Sequence, residues 1–338
     1  MTALVEANGQ VLELGAPASG VMWLGQNALF ADGDGRVHVV APGEAARVVE
    51  AHDGAVLSLV RDPSGKHVLT GGDDGFIKKI SADGDVEDFA SLRGKWIDHL
   101  VASPASGAVV AGVGKEAVVF VKGPAGFRES HRFTHPSTIG GLALDAKGRR
   151  LAVSHYGGVT LRYVLAADDK GQALEWKGSH LSVTMSPDTS YVFTSMQENE
   201  LHGWRMPEKK DLRMSGYAAK SRWLSWDKKG KWLATSGADC LVVWPFQGKL
   251  GPEGKQPATL VAREGVLITA CVFHPSEDFV LVGWSDGAVL IVRVSDQAAI
   301  AVDSGAGAPV TALAWDDEGM KVAYADENGR AAVASMGA

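Results

Sequence analysis

Ten histidines are the residues of this sequence best equipped for metal chemistry. Imidazole nitrogen is the commonest protein ligand for transition metals, and three converging rings would make a site. The spacing does not favour convergence. His131 and His135 form the closest pair, Pro136 follows at once, and the others are scattered over separate segments. His99 and His155 could reach a shared channel and hold a metal there; for His52 and His135 a hydrogen-bonding role in loops is the simpler reading. Asp34, Asp74, Asp239 and Asp286 could act together as acids and bases. Each, however, stands at a recurrent tight turn, where a short carboxylate bonds its own backbone. Cys240 and Cys271 lack the spacing of a zinc or redox pair and read as small buried hydrophobes. The chain has no GxxxxGK phosphate loop, no HExxH and no GxSxG. Neither catalysis nor a metal or cofactor is expected.

The elements that must position these residues are short and periodic. Gly35, Gly75, Glu116, Gly158, Asn199, Cys240, Gly287 and Gly329 stand at steps of 40, 41, 42, 41, 41, 47 and 42 residues. Gly or Asn fills six of the eight places, and both tolerate the left-handed backbone of a tight hairpin. Around each marker the order is constant: an apolar run such as "AVLSLV" (55–60), a turn such as "DPSG" (62–65), a run "HVLT", the tight turn, and a third run "FIKKI". A polar link and a fourth run such as "GQALEW" (171–176) follow. Runs this short, rich in Val, Ile and Leu between turn residues, are strands. Four antiparallel strands per roughly 41 residues make the blade of a β-propeller.

The bulk numbers agree with a soluble globular chain. Of the 338 residues 46% are hydrophobic and 22% charged. The net charge of −7 argues against a nucleic-acid partner, which needs a concentrated basic face. No apolar run approaches the roughly 20 residues that cross a bilayer, so no membrane partner is expected. The start "MTALVEANGQ" lacks a basic patch and apolar core, and a cytoplasmic setting follows as the default.

The repeat resembles that of the WD40 propellers over nearly the whole chain. The resemblance is carried by "VTMSPDTSYVFTSMQENELHGW" (183–204) and "CVFHPSEDFVLVGWSDGAVLIVRV" (271–294). In that family a buried network joins a His before the first strand, a Ser or Thr on the second, an Asp in the tight turn and a Trp ending the third. His52, Thr70 and Asp74 match three roles, with Ile80 in the Trp place. Thr235, Asp239 and Trp244 match three in another repeat, where Tyr217 replaces the His. The expectation is a single all-β domain over 1–338: one propeller of four-stranded antiparallel blades, eight by the markers with seven as the alternative. The repeats lie near 20–40, 52–81, 93–122, 135–164, 177–206, 217–245, 264–294 and 306–335. The segment "GQVLELG" (9–15) resembles the fourth-strand pieces and is expected to complete the last blade, closing the ring and hiding a sheet edge.

The resemblance implies a non-catalytic scaffold, a monomer by itself, that presents loops to a protein or peptide partner. Alternatives are a propeller that handles metal or small molecules at its channel, and a quinoprotein-like eight-bladed propeller, suggested by "AADDKGQALEW" (166–176). In WD40 propellers the loops leading into each first strand and the tight turns share the narrower face. Large or cationic residues there are Trp96, Asp98 (two residues on), His155, Tyr156, Met196, Lys220, Arg222, Leu267 and Trp284. Aromatics and Arg dominate interface hot spots, so these nine are expected to form one arc that grips a partner, with Arg222 reading an acidic group. The Gly-, Pro- and Lys-rich stretch 245–260 accounts for the 47-residue step and should project from the opposite face, as a mobile loop or a docking loop.

Overall fold

The computed structural model describes residues 3–124 and 126–337. Its hydrogen-bonded strands form seven antiparallel sheets, six of four strands and one of six, the blades of an all-β propeller. Counted by sheet, the alternative of seven holds and the expectation of eight is corrected. The fourth and fifth repeats share the six-stranded sheet because two segments, Arg150–Tyr163 and Gln172–Met185, are each 14 residues long and pair with a different neighbour through each half. The first half of Arg150–Tyr163 pairs with Ile139–Leu144 and its second half with Gln172–Met185. The last part of Gln172–Met185 then pairs with Tyr191–Met196. Within Arg150–Tyr163 the chain turns back on itself: Gly157 and Gly158 have positive φ, and Val164 N–H bonds the Arg149 carbonyl at 3.0 Å. Eight repeats of sequence thus map onto seven sheets.

Strand length follows from the turns, and burial follows from strand position. Second strands are covered on both faces and are continuously apolar or small, as in Val109–Val113 and Tyr191–Met196, where every residue is buried. Fourth strands are edges and stay polar, as in Arg47–Glu50. At the marker Gly75 φ is 80°, and a Cβ would stand 2.9 Å from the Leu92 carbonyl oxygen, so backbone freedom and close approach both require glycine. Where the marker is not Gly or Asn, the turn has shifted: the left-handed residue is Gly114 rather than Glu116, and Gly237 rather than Cys240.

The chain packs as two compact bodies. One comprises Met1–Asp32, Val40–Ala46 and Ser215–Ala338, the other Gly33–Val39 and Arg47–Met214. In the first body, Gly9–Glu13 pairs antiparallel with Arg330–Ser335, from Gly9 opposite Ala334 to Glu13 opposite Arg330. The N-terminal strand therefore completes the last sheet beside its third strand. A short helix, Leu4–Asn8, precedes it and buries Val5 in a cluster with Val302, Tyr324 and Ala334. In the second body the core runs through Leu69, Ile77, Ile97 and Val109, and on through Val119, Leu151 and Val153.

Candidate interaction face

In three repeats polar groups tie the hairpin to the segment leading into its own first strand, and each makes that tie differently. In the second repeat, His52 Nδ1 lies 3.1 Å from both oxygens of Asp74, and Nε2 lies 2.9 Å from Thr70 Oγ1. Burial pushes the Asp74 carboxyl up, but the Phe76 amide and His52 outweigh it and hold the group below the usual carboxylate range. Ile80 fills the Trp place, fully buried.

In the sixth repeat the Trp244 indole donates to the Tyr217 hydroxyl at 2.8 Å, and that hydroxyl lies 2.8 Å from Thr235 Oγ1. The Thr235 hydroxyl in turn donates to the Val242 carbonyl at 3.3 Å. Burial pushes the Tyr217 phenol up to about 12. Asp239, expected in this network, is exposed instead; the left-handed residue here is Gly237, so the turn carries the Asp away from Tyr217.

Sequence reasoning missed two further ties. In the last repeat Asp303 accepts hydrogen bonds from the Tyr324 hydroxyl, from Arg330 Nη1 at 2.6 Å and from the Gly305 amide at 3.0 Å. Burial alone would raise the Asp303 carboxyl; these donors hold it low. The second is a recurrent carboxylate at the first turn. Asp62, Asp145, Asp227 and Asp316 are all buried and accept backbone N–H groups four or five residues on. The recurring Asp before the Gly was the available signal.

His135 departs from its expected role. It occupies the place of His52, but the counterparts of Thr70 and Asp74 are Val153 and Gly157. Neither ring nitrogen has a partner, and burial first, then Arg162 and His155, bring its pKa down to about 4. His155 has found other partners, the Tyr156 carbonyl and Thr160 Oγ1, both at 2.9 Å. Among the described residues no group of three or more His, Cys, Asp or Glu side chains is placed to hold a metal.

The nine expected contact residues separate by register. Those three places before the marker end a second strand and point inward: His155, Met196 and Trp284 are all buried, Trp284 completely. This corrects their assignment to an exposed arc. Trp284 packs with Ala234, Leu241 and Ile268, and Arg263, paired to Asp286 at 3.1 and 2.5 Å, lies 5.5 Å above its ring. The segment leading into the next strand covers the strand end, which no local pattern announces.

The lead-in positions, and Tyr156 at the tight turn beside His155, are the open ones. On the second body Trp96 is 65% exposed, Tyr156 is 61% exposed and Asp98 is half-buried. On the first body Arg222 is exposed, and Lys220 and Leu267 are half-buried. Trp96 sits on a braced loop. Leu92 N–H bonds the Gly75 carbonyl at 2.7 Å, Ile97 N–H bonds the Gly72 carbonyl at 3.2 Å, and the Leu92 and Ile97 side chains are buried. Beside Tyr156 a cleft of about 540 Å³ is lined by Pro136, His155, Val159, Thr160 and Trp176.

Residues 43–80, which hold the His52, Thr70 and Asp74 network, match the family model described as WD domain, G-beta repeat. One repeat of this β-propeller thus matches a WD family model. The chain is 22% identical over 310 residues to Autophagy-related protein 16 of Arabidopsis thaliana. That match covers 88% of this chain and 59% of the relative, so the chain spans less than two thirds of that protein. Among solved structures, the computationally designed Ika8 protein superposes with a TM-score of 0.76 at 19% identity, covering 96% of this chain and 98% of that one. At that identity the likeness concerns the fold alone. The WD40 match and the Asp74 network bear on one hairpin; the other repeats keep the architecture with other residues.

Proposed function

We propose that this chain is a WD40-type, non-catalytic interaction scaffold whose strand lead-in loops receive a protein or peptide partner. The observation that carries the reading is Trp96. It is the most exposed large hydrophobic side chain among the described residues, on a loop whose two flanks are fixed in the core. Covering roughly 150 Å² of such a ring is worth about 4 kcal/mol, and a braced loop loses little entropy when it is covered. Tyr156 and its cleft on the same body extend the set with a residue type favoured at hot spots. Among the described residues no helix is long and apolar enough to cross a membrane. Cys240 and Cys271 are free thiols, which suits a cytoplasmic setting.

A photo-crosslinking amino acid placed at position 96, expressed in the native host, tests this. One discrete crosslinked product is expected at position 96 and none at the outer-strand position 300. Failure to crosslink, or equal products at both positions, overturns the reading.

A further inference from the structure

The sixth repeat carries a second surface, at the end of its sheet opposite the tight turns. Its first turn reads Asp227-Lys228-Lys229-Gly230-Lys231, where the eighth repeat has Asp316-Asp317-Glu318-Gly319-Met320. The link from its third to its fourth strand, 246–257, adds Lys249 and Lys255 at the same end. All five lysines are exposed, and none forms an ion pair among the described residues. Five lysines stand against two carboxylates in these two segments, a local balance of +3 on a chain of −7. One of those carboxylates, Asp227, is buried and committed to the amides of Lys229, Lys231 and Trp232.

The long link is an ordered element. Three successive turns close through Gly251 to Gly248, Glu253 to Leu250 and Lys255 to Pro252, at 3.2, 3.3 and 3.0 Å. It is tied to the lysine turn where Phe246 N–H bonds the Lys231 carbonyl at 2.7 Å, and Phe246 packs edge-on against Trp226 at 4.5 Å. Leu250, 55% exposed, stands next to Lys249 at the tip. Unpaired like charges held together on a fixed frame repel one another, and that repulsion is relieved when an opposite charge arrives.

We propose that this end of the sixth sheet docks an acidic polypeptide segment, with the lysines steering it in and Leu250 giving one apolar contact. A bilayer would find a single apolar tip, where stable anchoring takes two signals. A nucleic acid would find no exposed aromatic or Arg in these segments on which bases stack. Lysine without Arg makes a salt-sensitive, quickly exchanging contact.

The proposal concerns a different surface from the Trp96 loop, so each is tested separately. The probe is an acetylated Glu-rich 12-residue peptide containing two Leu, with a Gln-for-Glu control, titrated into the intact protein. Binding of the acidic peptide is expected to weaken about tenfold between 50 and 300 mM salt. It should weaken by at least about tenfold in Lys228→Glu/Lys229→Glu/Lys231→Glu, a variant whose melting temperature is measured alongside. A Lys-for-Glu peptide should bind that variant in preference to the parent. Equal binding of the Gln control, or unchanged affinity in the triple variant, overturns the proposal. So does tighter binding of a 12-nucleotide single strand or of vesicles with 30 mol% phosphatidylserine. Should the triple variant unfold, the salt series and the Gln control on the parent protein decide.

Discussion

In the second repeat the segment leading into the first strand is tied to its hairpin by His52, Thr70 and Asp74. In the last repeat the same gap is spanned by Asp303, Tyr324 and Arg330. Thr70 and Tyr324 stand at the same place, five residues before the marker glycine. The charges are exchanged around them: the carboxylate lies in the turn of one repeat and ahead of the first strand in the other. The sixth repeat does the same work with neutral groups, Tyr217, Thr235 and Trp244. What these three hairpins share is a satisfied buried polar bridge, whose donors and acceptors are shut away from water. Residue identity is free as long as each group finds a partner. Repeat four, whose His135 has lost both partners, shows the bridge missing.

The comparison is broken most severely at the charged tie that the WD40 pattern does not foresee. Asp303→Asn leaves Arg330 without its counter-ion and is expected to lower stability by about 3–5 kcal/mol in urea unfolding. A loss below 1 kcal/mol would show that the ion pair is dispensable. Next comes the orphaned His135. Its pKa is depressed from the ordinary 6.5 to about 4, so the unfolded chain binds the extra proton first as pH falls. Stability is then complete above pH 7 and declines from about 6.5 toward 4, by up to about 3 kcal/mol from this group. His135→Phe should make that limb shallower, leaving the shares of His99, His180 and His202, also held low by burial, in denaturation curves taken between pH 4 and 7. The carboxylates Asp74 and Asp303, held below their ordinary values, add a separate loss only as pH falls below about 4. An unaltered acid limb in His135→Phe would place its source elsewhere.

Smaller effects sharpen the neutral bridge and the exposed face. Tyr217→Phe removes the hydroxyl that serves both Thr235 and Trp244 and is expected to cost about 1–2 kcal/mol by chemical denaturation. Adding Thr235→Val should cost less than the sum of the two changes, since both delete the same bond. Trp96→Ala should shift stability by no more than about 0.5 kcal/mol while removing the contact that position 96 makes with a partner. A large drop in melting temperature would return Trp96 to the core, where Trp284 already belongs.

The second repeat was legible because its residue types match a known pattern, even though His52 stands 22 residues before Asp74 and outside the hairpin. The bridge of the last repeat was not. Asp303 and Tyr324 are 21 residues apart, and neither residue type signals the other. The surface residues divide in the same way. Trp96 lies in a loop of Gly and charged residues, and its exposure follows from that setting. Trp284 ends a strand in a register that looks open, and only the return of Arg263 over its ring closes it.

Periodicity by itself determined the strands, the turns, the propeller and the use of residues 9–13 to complete the last sheet, because turn chemistry and two-residue alternation act over a few residues. Tertiary structure alone decided that two repeats share one sheet, joined through two segments of 14 residues that pair on both sides. It also decided which polar groups meet and which strand ends are covered. Those outcomes depend on segments about half a repeat away, whose placement is set by the pairing of the sheets and by the gain from satisfying buried donors and acceptors.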